Sequence, residues 1–328
     1  MRDSSIARRS LFAGSGAAAL PLCLSSATKK SDIKIGMATG LSDDLLRFLK
    51  QLGVEWIATS LRATQGAAVN PDLTRGAVLT SIDGAQGGIG GPPGGLSGPW
   101  KEGEVRNVAR RVEAAGMRLG NIMMHGFPNV ILGGATYRSF DDTRVKDRTP
   151  LPNLGAASDE QMWERLRYFL TAVVPVAVES HVRLALHPND PPMPSYRGIA
   201  QPFATLEQWK RLVNFIPSPA NGITLDTGVT AEIGENVVEV IRYFGRKDCI
   251  NHVHFRNVRT QKPRYNYTET FIDEGQVDML AAMRAFREVG YSHMIVPDHS
   301  PSIAGDTAGY GGWGFALGYI QALLKATS

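Results

Sequence analysis

The chain has 328 residues, 43% of them hydrophobic and 20% charged, with a formal net charge of +4. This is an ordinary soluble balance, and the length suits one large domain. With only Cys23 and Cys249 a disulfide framework is excluded, and without a basic stripe interleaved with aromatics nucleic acid is not an expected partner.

The N-terminus reads as an address. Arg8-Arg9-Ser10-Leu11-Phe12 is a twin-arginine pair, followed by an apolar stretch to Leu24 and the small residues Ser25-Ser26-Ala27. This order predicts a twin-arginine export signal over residues 1–28 and a periplasmic or exported destination. The stretch is too short and too rich in Gly and Ala to be a good spanning helix, so no membrane contact is expected after cleavage. Leu22 is too large for the residue before a lipidated cysteine, so Cys23 is expected to leave with the signal. Residues 29–328 are then expected to form the mature domain. Losing Arg2, Arg8, Arg9 and Asp3 removes a net +2 from the +4 and leaves +2.

In chain order, Asp32 to Met37 predicts a strand, and Ser42 caps a helix from Asp43 to Leu52 with Leu45, Leu46, Phe48 and Leu49 on one face. Val54 to Thr59 is a second strand. The glycine-rich stretch 84–98 predicts a long irregular loop, read as an active-site lid. A helix follows from Lys101 to Ala115, then a strand from Met117 to Met124 that stops at His125. Ser158 caps a helix from Asp159 to Val178. Strands at His181–Leu186, Ile223–Leu225, Cys249–Phe255 and His293–Val296 alternate with helices at Leu206–Val213, Asn236–Phe244, Val277–Val289 and Phe315–Lys325. Alternation of this kind predicts a parallel α/β fold of one domain, with seven strands and Ala77–Ile82 as a candidate eighth.

Four of these strands end abruptly in ligand-type side chains: His187, Asp226, His254 and Asp298. A parallel barrel keeps its chemistry at the C-terminal mouth of its strands. Two imidazoles and two carboxylates there make a divalent-metal site suited to Mn²⁺, Fe²⁺, Zn²⁺ or Mg²⁺. His252 lies two before His254 and shares its face; Arg256 continues the parity, where a guanidinium clamps a substrate carboxylate. His299 and His125 are candidate acid–base groups near neutral pH. Glu269 and Asn257 join Arg256 and His252 as candidate substrate contacts. Glu269, Asp273, Glu274 and Asp278 read as acids on a loop before a helix. His181 and His293 begin strands, which puts them at the opposite, structural end.

His187-Pro188-Asn189-Asp190-Pro191-Pro192 resembles the "HPDDPP" segment of the D-mannonate dehydratase family. Val253 to Val258 is similar to its "VHFRNV", Phe271 to Met279 to its segment ending in "VDM", and Pro297-Asp298-His299 to its "PDH". The resemblance runs from about His125 to the C-terminus. It implies a xylose-isomerase-like TIM (β/α)8-type barrel, a metal that is typically Mn²⁺, and dehydration of D-mannonate to 2-keto-3-deoxy-D-gluconate. It also implies His187, His254 and Asp298 as metal ligands, with Asp226 standing where the family has a cysteine. Gly312-Trp313-Gly314-Phe315 stands where the family has a tyrosine-containing motif, and Tyr310 is the nearby phenol. The expected partner is a small sugar acid or sugar; a homo-oligomer is left open. The alternatives are a metal-dependent sugar isomerase, epimerase or keto-sugar lyase on the same barrel, and a periplasmic sugar-binding module.

Overall fold

The computed structural model describes residues 32–38, 41–59, 102–122, 139–145, 149–150, 155–301, 303, 306 and 310–328. The export signal, the glycine-rich stretch 84–98, Ala77–Ile82 and His125 lie outside them. The elements in chain order are β1 (Lys34–Ala38), α1 (Asp43–Gln51), β2 (Trp56–Thr59), α2 (Glu102–Ala114), β3 (Arg118–Ile122), β4 (Ser139–Asp141), α3 (Asp159–Glu179), β5 (Leu184–Leu186), β6 (Ser195–Tyr196), β7 (Ile199–Ala200), α4 (Leu206–Phe215), β8 (Asn221–Asp226), α5 (Thr227–Glu232), α6 (Val237–Gly245), β9 (Ile250–His254), β10 (Asn257–Lys262), β11 (Asn266–Thr270), α7 (Met279–Glu288), β12 (Met294–Val296) and α8 (Tyr310–Ala326).

Helix starts follow the chemistry of their caps. Ser42 accepts from the Leu45 amide, and Ser158 forms a reciprocal capping box with Gln161 at the start of α3. Asn236 and Asp278 cap α6 and α7 in the same way, accepting from the Glu239 and Ala281 amides.

Seven strands form one sheet in the order β3-β2-β1-β12-β9-β8-β5, and every neighbouring pair is parallel. The first strand pairs with the last, as in a closing barrel, and the sheet ends fall at β3 and β5. These are the seven strands expected from the sequence. Alternation sorts the two faces of β9. Val253 and Phe255 join the main core, where Phe255 meets Phe286 of α7 at 6.2 Å between ring centroids. His252 and His254 point the other way, into the barrel, with their rings 5.1 Å apart. A smaller core holds α1, α2 and β2 together through Leu49, Ile57, Val108 and Val112, all fully buried.

Three features were not expected. Asp226 runs straight into the short helix α5. The chain after β9 forms an antiparallel hairpin, β10–β11, joined by β4 into a three-stranded sheet. Ser195–Tyr196 and Ile199–Ala200 pair as a small hairpin. The second of these is a correction: Glu269 sits within β11, not on a loop, because the polar run Asn266–Thr270 pairs with β10 on one side and β4 on the other.

Candidate metal centre

Strands β5, β8, β9 and β12 are consecutive in the sheet, so their C-terminal ends lie side by side. His187 follows the last residue of β5. Asp226 ends β8 directly opposite His254 at the end of β9, and Val296 of β12 lies opposite His254 on its other side, two residues before Asp298. The four side chains converge: one donor atom from each lies within 4.8 Å of all the others. His187 Nε2 is 3.0 Å from His254 Nδ1, which is 3.2 Å from an Asp298 oxygen. Asp226 Oδ2 is 3.6 Å from both imidazoles.

Neighbouring groups orient these donors. His187 Nδ1 donates to the Pro188 carbonyl at 2.6 Å, which leaves Nε2 as the ring's lone-pair atom. Asp226 Oδ1 accepts from the Val229 amide at 2.7 Å, capping α5, so only Oδ2 faces the imidazoles. Asp298 adopts φ 58°, a left-handed conformation that Asp tolerates better than most residues. Such strain, on the order of 1–3 kcal/mol, persists where the surroundings over-determine it, and here it turns the carboxylate onto His254.

Arg256 organises the floor beside the donors. Its side chain is 1% exposed, and each guanidinium nitrogen holds a carboxylate: Nε donates to Asp226 at 3.0 Å, Nη1 to Glu232 at 2.8 Å and Nη2 to Asp190 at 2.8 Å. Glu269 and Asp298 lie at 3.8 and 3.7 Å. Thr227 Oγ1 accepts from the Arg256 amide and donates to its carbonyl, pinning the backbone. Tyr267 donates its phenol to Asp190 at 2.6 Å, and Glu269 pairs with His299 Nδ1 at 2.9 Å.

The electrostatics follow from this crowding. Burial alone would lower the pKa of His254, yet the Asp298 charge and hydrogen bonds to Asp226 and Asp298 push it up to about 9. Burial would raise Asp226, but Arg256 and the two imidazoles hold it well below the usual carboxylate range. Burial pushes Glu232 well above its ordinary range against the pull of Arg256, helped by Asp190, Asp226 and Glu269. Five carboxylates surround one guanidinium within 4 Å. A divalent cation fits this set on two counts: four oriented O and N donors converge, and the excess negative charge is buried beside them.

The expected residues therefore divide. His187, Asp226, His254 and Asp298 come together. Glu269 and His299 meet each other at the edge of the cluster, with His299 Nε2 3.5 Å from Asp298. Arg256 is corrected: its fork is spent on the protein's own acids, so it offers no free two-pronged clamp to a substrate. Asn257 is corrected as well. Its amide donates to the Ile272 and Val277 carbonyls and accepts from the Val258 and Val277 amides, tying β10 to the segment before α7. His252 is 3% exposed beneath His254, and burial keeps its pKa well below the ordinary value, so it sits in the barrel as a neutral ring away from solvent. Tyr310 stacks on Phe48 at 4.4 Å. Sequence reasoning missed Glu232, Asp190 and Tyr267. Asp190 had a signal in the His187–Pro192 motif; Glu232 had none.

A family model described as "D-mannonate dehydratase (UxuA)" matches residues 137–328. The mannonate dehydratase of Oceanobacillus iheyensis is 39% identical over 174 residues, 51% of this chain and 49% of that protein. The mannonate dehydratase of Thermotoga neapolitana is 40% identical over 176 residues, 52% of this chain and 49% of that protein. The chain thus spans about half the length of the curated relatives it matches. A solved mannonate dehydratase from Streptococcus suis serotype 2 is 20% identical, with a TM-score of 0.68 over 90% of this chain and 94% of that one. A xylose isomerase domain protein from Planctomyces limnophilus is 14% identical, with a TM-score of 0.54 over 91% and 99%. These two show the fold, a xylose-isomerase-like TIM barrel. With the matched segment covering more than half of the sequence and holding all four converging donors, the chain belongs to the D-mannonate dehydratase family.

Proposed function

We propose that this protein is a metal-dependent lyase that removes water from a sugar acid, D-mannonate or a related aldonate, to give the 2-keto-3-deoxy acid. The observation that carries the reading is the four-donor cluster at the mouth of the barrel, in a chain of this family. His187, Asp226, His254 and Asp298 hold the ion, Mn²⁺ by preference, with Fe²⁺, Zn²⁺ and Mg²⁺ as the other suitable ions. When bound, a divalent ion supplies Lewis-acid polarisation of a substrate oxygen.

The chain's own residues do the rest. Dehydration takes a proton from the carbon next to the carboxylate and a hydroxyl from the neighbouring carbon; these leave as water, and the enol tautomerises to the keto acid. His299 is the candidate we assign to move a proton: Glu269 holds its Nδ1, and its side chain remains 24% exposed at the edge of the site. His125 is the second acid–base candidate. With Arg256 turned inward, recognition of the substrate carboxylate falls to other groups. That observation also favours the rival reading, an isomerase or epimerase needing no carboxylate, and the assay must include neutral keto-sugars beside aldonic acids.

Incubation with Mn²⁺ and D-mannonate, followed by detection of the keto acid, is expected to give turnover that His254→Ala abolishes together with bound metal while the fold persists. Turnover of neutral sugars alone would replace the dehydratase reading, and full metal retention in His254→Ala would remove the site. Replacing Asp226 by Cys is expected to shift preference from Mn²⁺ towards Zn²⁺, because thiolate is the softer donor, with about 1 kcal/mol lost through the α5 cap. Competition titrations read the first effect, melting curves the second.

Metal uptake should depend on pH. The pKa of His254 is raised to about 9, so this ring carries a proton at neutral pH that an incoming ion must displace. Affinity is expected to rise with pH up to about 9 and then level off, by as much as tenfold per unit while one proton is released. Mn²⁺ titrations in buffers of different ionisation enthalpy measure that proton directly, and a flat profile would contradict it. We also infer export through the segment 1–28, motivated by Arg8-Arg9 and the apolar run behind it. Export of the full chain should stop when both arginines are replaced by lysine; unchanged export would exclude the twin-arginine route.

A further inference from the structure

Asp226 is the only one of the four converging side chains with no exposed surface, and its metal-facing oxygen is the one that Arg256 Nε holds. The position of that oxygen therefore depends on where the guanidinium lies. Two features fix the guanidinium. Glu232, fully buried at the end of α5, accepts from Nη1 at 2.8 Å. Gly228, in the first turn of α5, lets the fork lie flat against the helix: a Cβ there would fall 2.6 Å from both Cζ and Nη1 of Arg256. Helix α5 is itself tied down, with Thr230 Oγ1 bonded to the Asp226 carbonyl and the Glu232 carbonyl accepting from the Arg264 amide at 2.6 Å.

We propose that Glu232 and Gly228 form the seat of Arg256, and that this seat is a positioning device for the metal ligand Asp226. The role rests on the metal reading of the site proposed above. It acts through geometry: a planar fork anchored at Nη1 by Glu232 and at Nη2 by Asp190 has one orientation left for Nε. Nη1 also lies 3.8 Å from Glu269 and Nε 3.7 Å from Asp298, alternative partners that would draw the fork off Asp226 once the Glu232 anchor is removed. What Glu232 gives the fork directly is one acceptor oxygen, 2.8 Å from Nη1. Among the described residues its second oxygen, Oε2, has no hydrogen-bond partner. A glutamine amide can stand there without displacing a donor, which makes Glu232→Gln a conservative replacement.

The test is calorimetric titration of Mn²⁺ alone into the full chain, beside melting curves. Glu232→Ala is expected to weaken Mn²⁺ by about 10- to 100-fold, as loss of an outer partner of a ligand does, and Glu232→Gln to restore affinity to within about threefold. Gly228→Ala keeps every charge and moves only the fork; it is expected to weaken Mn²⁺ about tenfold or more. If Glu232→Ala fails to fold, the contrast between Glu232→Gln and Gly228→Ala decides. Wild-type affinity in folded Gly228→Ala, or a Glu232→Gln variant as weak as Glu232→Ala, would overturn the role. Wild-type protein that takes up no Mn²⁺ overturns the metal reading and this role together; uptake that Gly228→Ala leaves unchanged overturns this role alone.

Discussion

The buried guanidinium of Arg256 is the constraint on which the rest of the site depends. An unpaired charge with 1% side-chain exposure would cost several kcal/mol, so Arg256 can exist there only with acids packed around it. Those acids come from different parts of the chain: Asp190 after β5, Asp226 at the end of β8, Glu232 on α5. One residue thus ties the β5 loop, the β8–α5 junction and the β9–β10 junction to a single point. Three of the four converging donors, His187, Asp226 and His254, sit at those points and inherit their precision; the fourth, Asp298, follows β12.

The charge balance explains why these acids tolerate one another. Even with the His254 ring beside it, Arg256 faces five carboxyl groups, so an excess of negative charge remains, and the structure distributes it unequally. Asp226 and Asp298 are driven towards full ionisation by the imidazoles and, for Asp226, by Arg256, while Glu232 is driven the other way by burial. Carboxylates whose surroundings push their pKa values apart take different jobs. Here the ionised ones face the donor cluster, and the one pressed towards neutrality supports Arg256 from behind.

The strand ends were legible because a buried parallel strand writes a clear signal: a short β-branched run, then a sudden polar residue. His187, Asp226, His254 and Asp298 each come just after a short apolar run, β-branched in part except before His187, and the structure sets Asp226 opposite His254. Parity also put Arg256 on the inner face correctly. Its partners were hidden, since Glu232 and Asp190 lie 24 and 66 positions away and pairing over such spans leaves no local trace. Helix α5, Thr227–Glu232, is buried on every side and so shows no apolar stripe to predict it. Glu269 looked like a loop residue because the buried positions of β11, Tyr267, Glu269 and Thr270, carry polar groups; Tyr267 packs its ring on Phe140 and bonds Asp190 through its phenol, and Glu269 meets His299.

Aspartate at position 226, where the resemblance implies a cysteine, fits this wiring in a way a thiolate does not. Position 226 must cap α5, meet the Arg256 Nε and face the imidazoles. A carboxylate divides these tasks: Oδ1 takes the Val229 amide, and Oδ2 takes the guanidinium and the cluster. A single sulfur would have to serve all three directions with one weakly accepting atom. The carboxylate is thereby confined to one free direction on one oxygen, which makes it a fixed, single-oxygen donor. That confinement turns the outer residues into determinants of the inner ones: the Asp226 oxygen is a hard donor in a fixed place because Arg256, Glu232 and α5 leave it nowhere else to go.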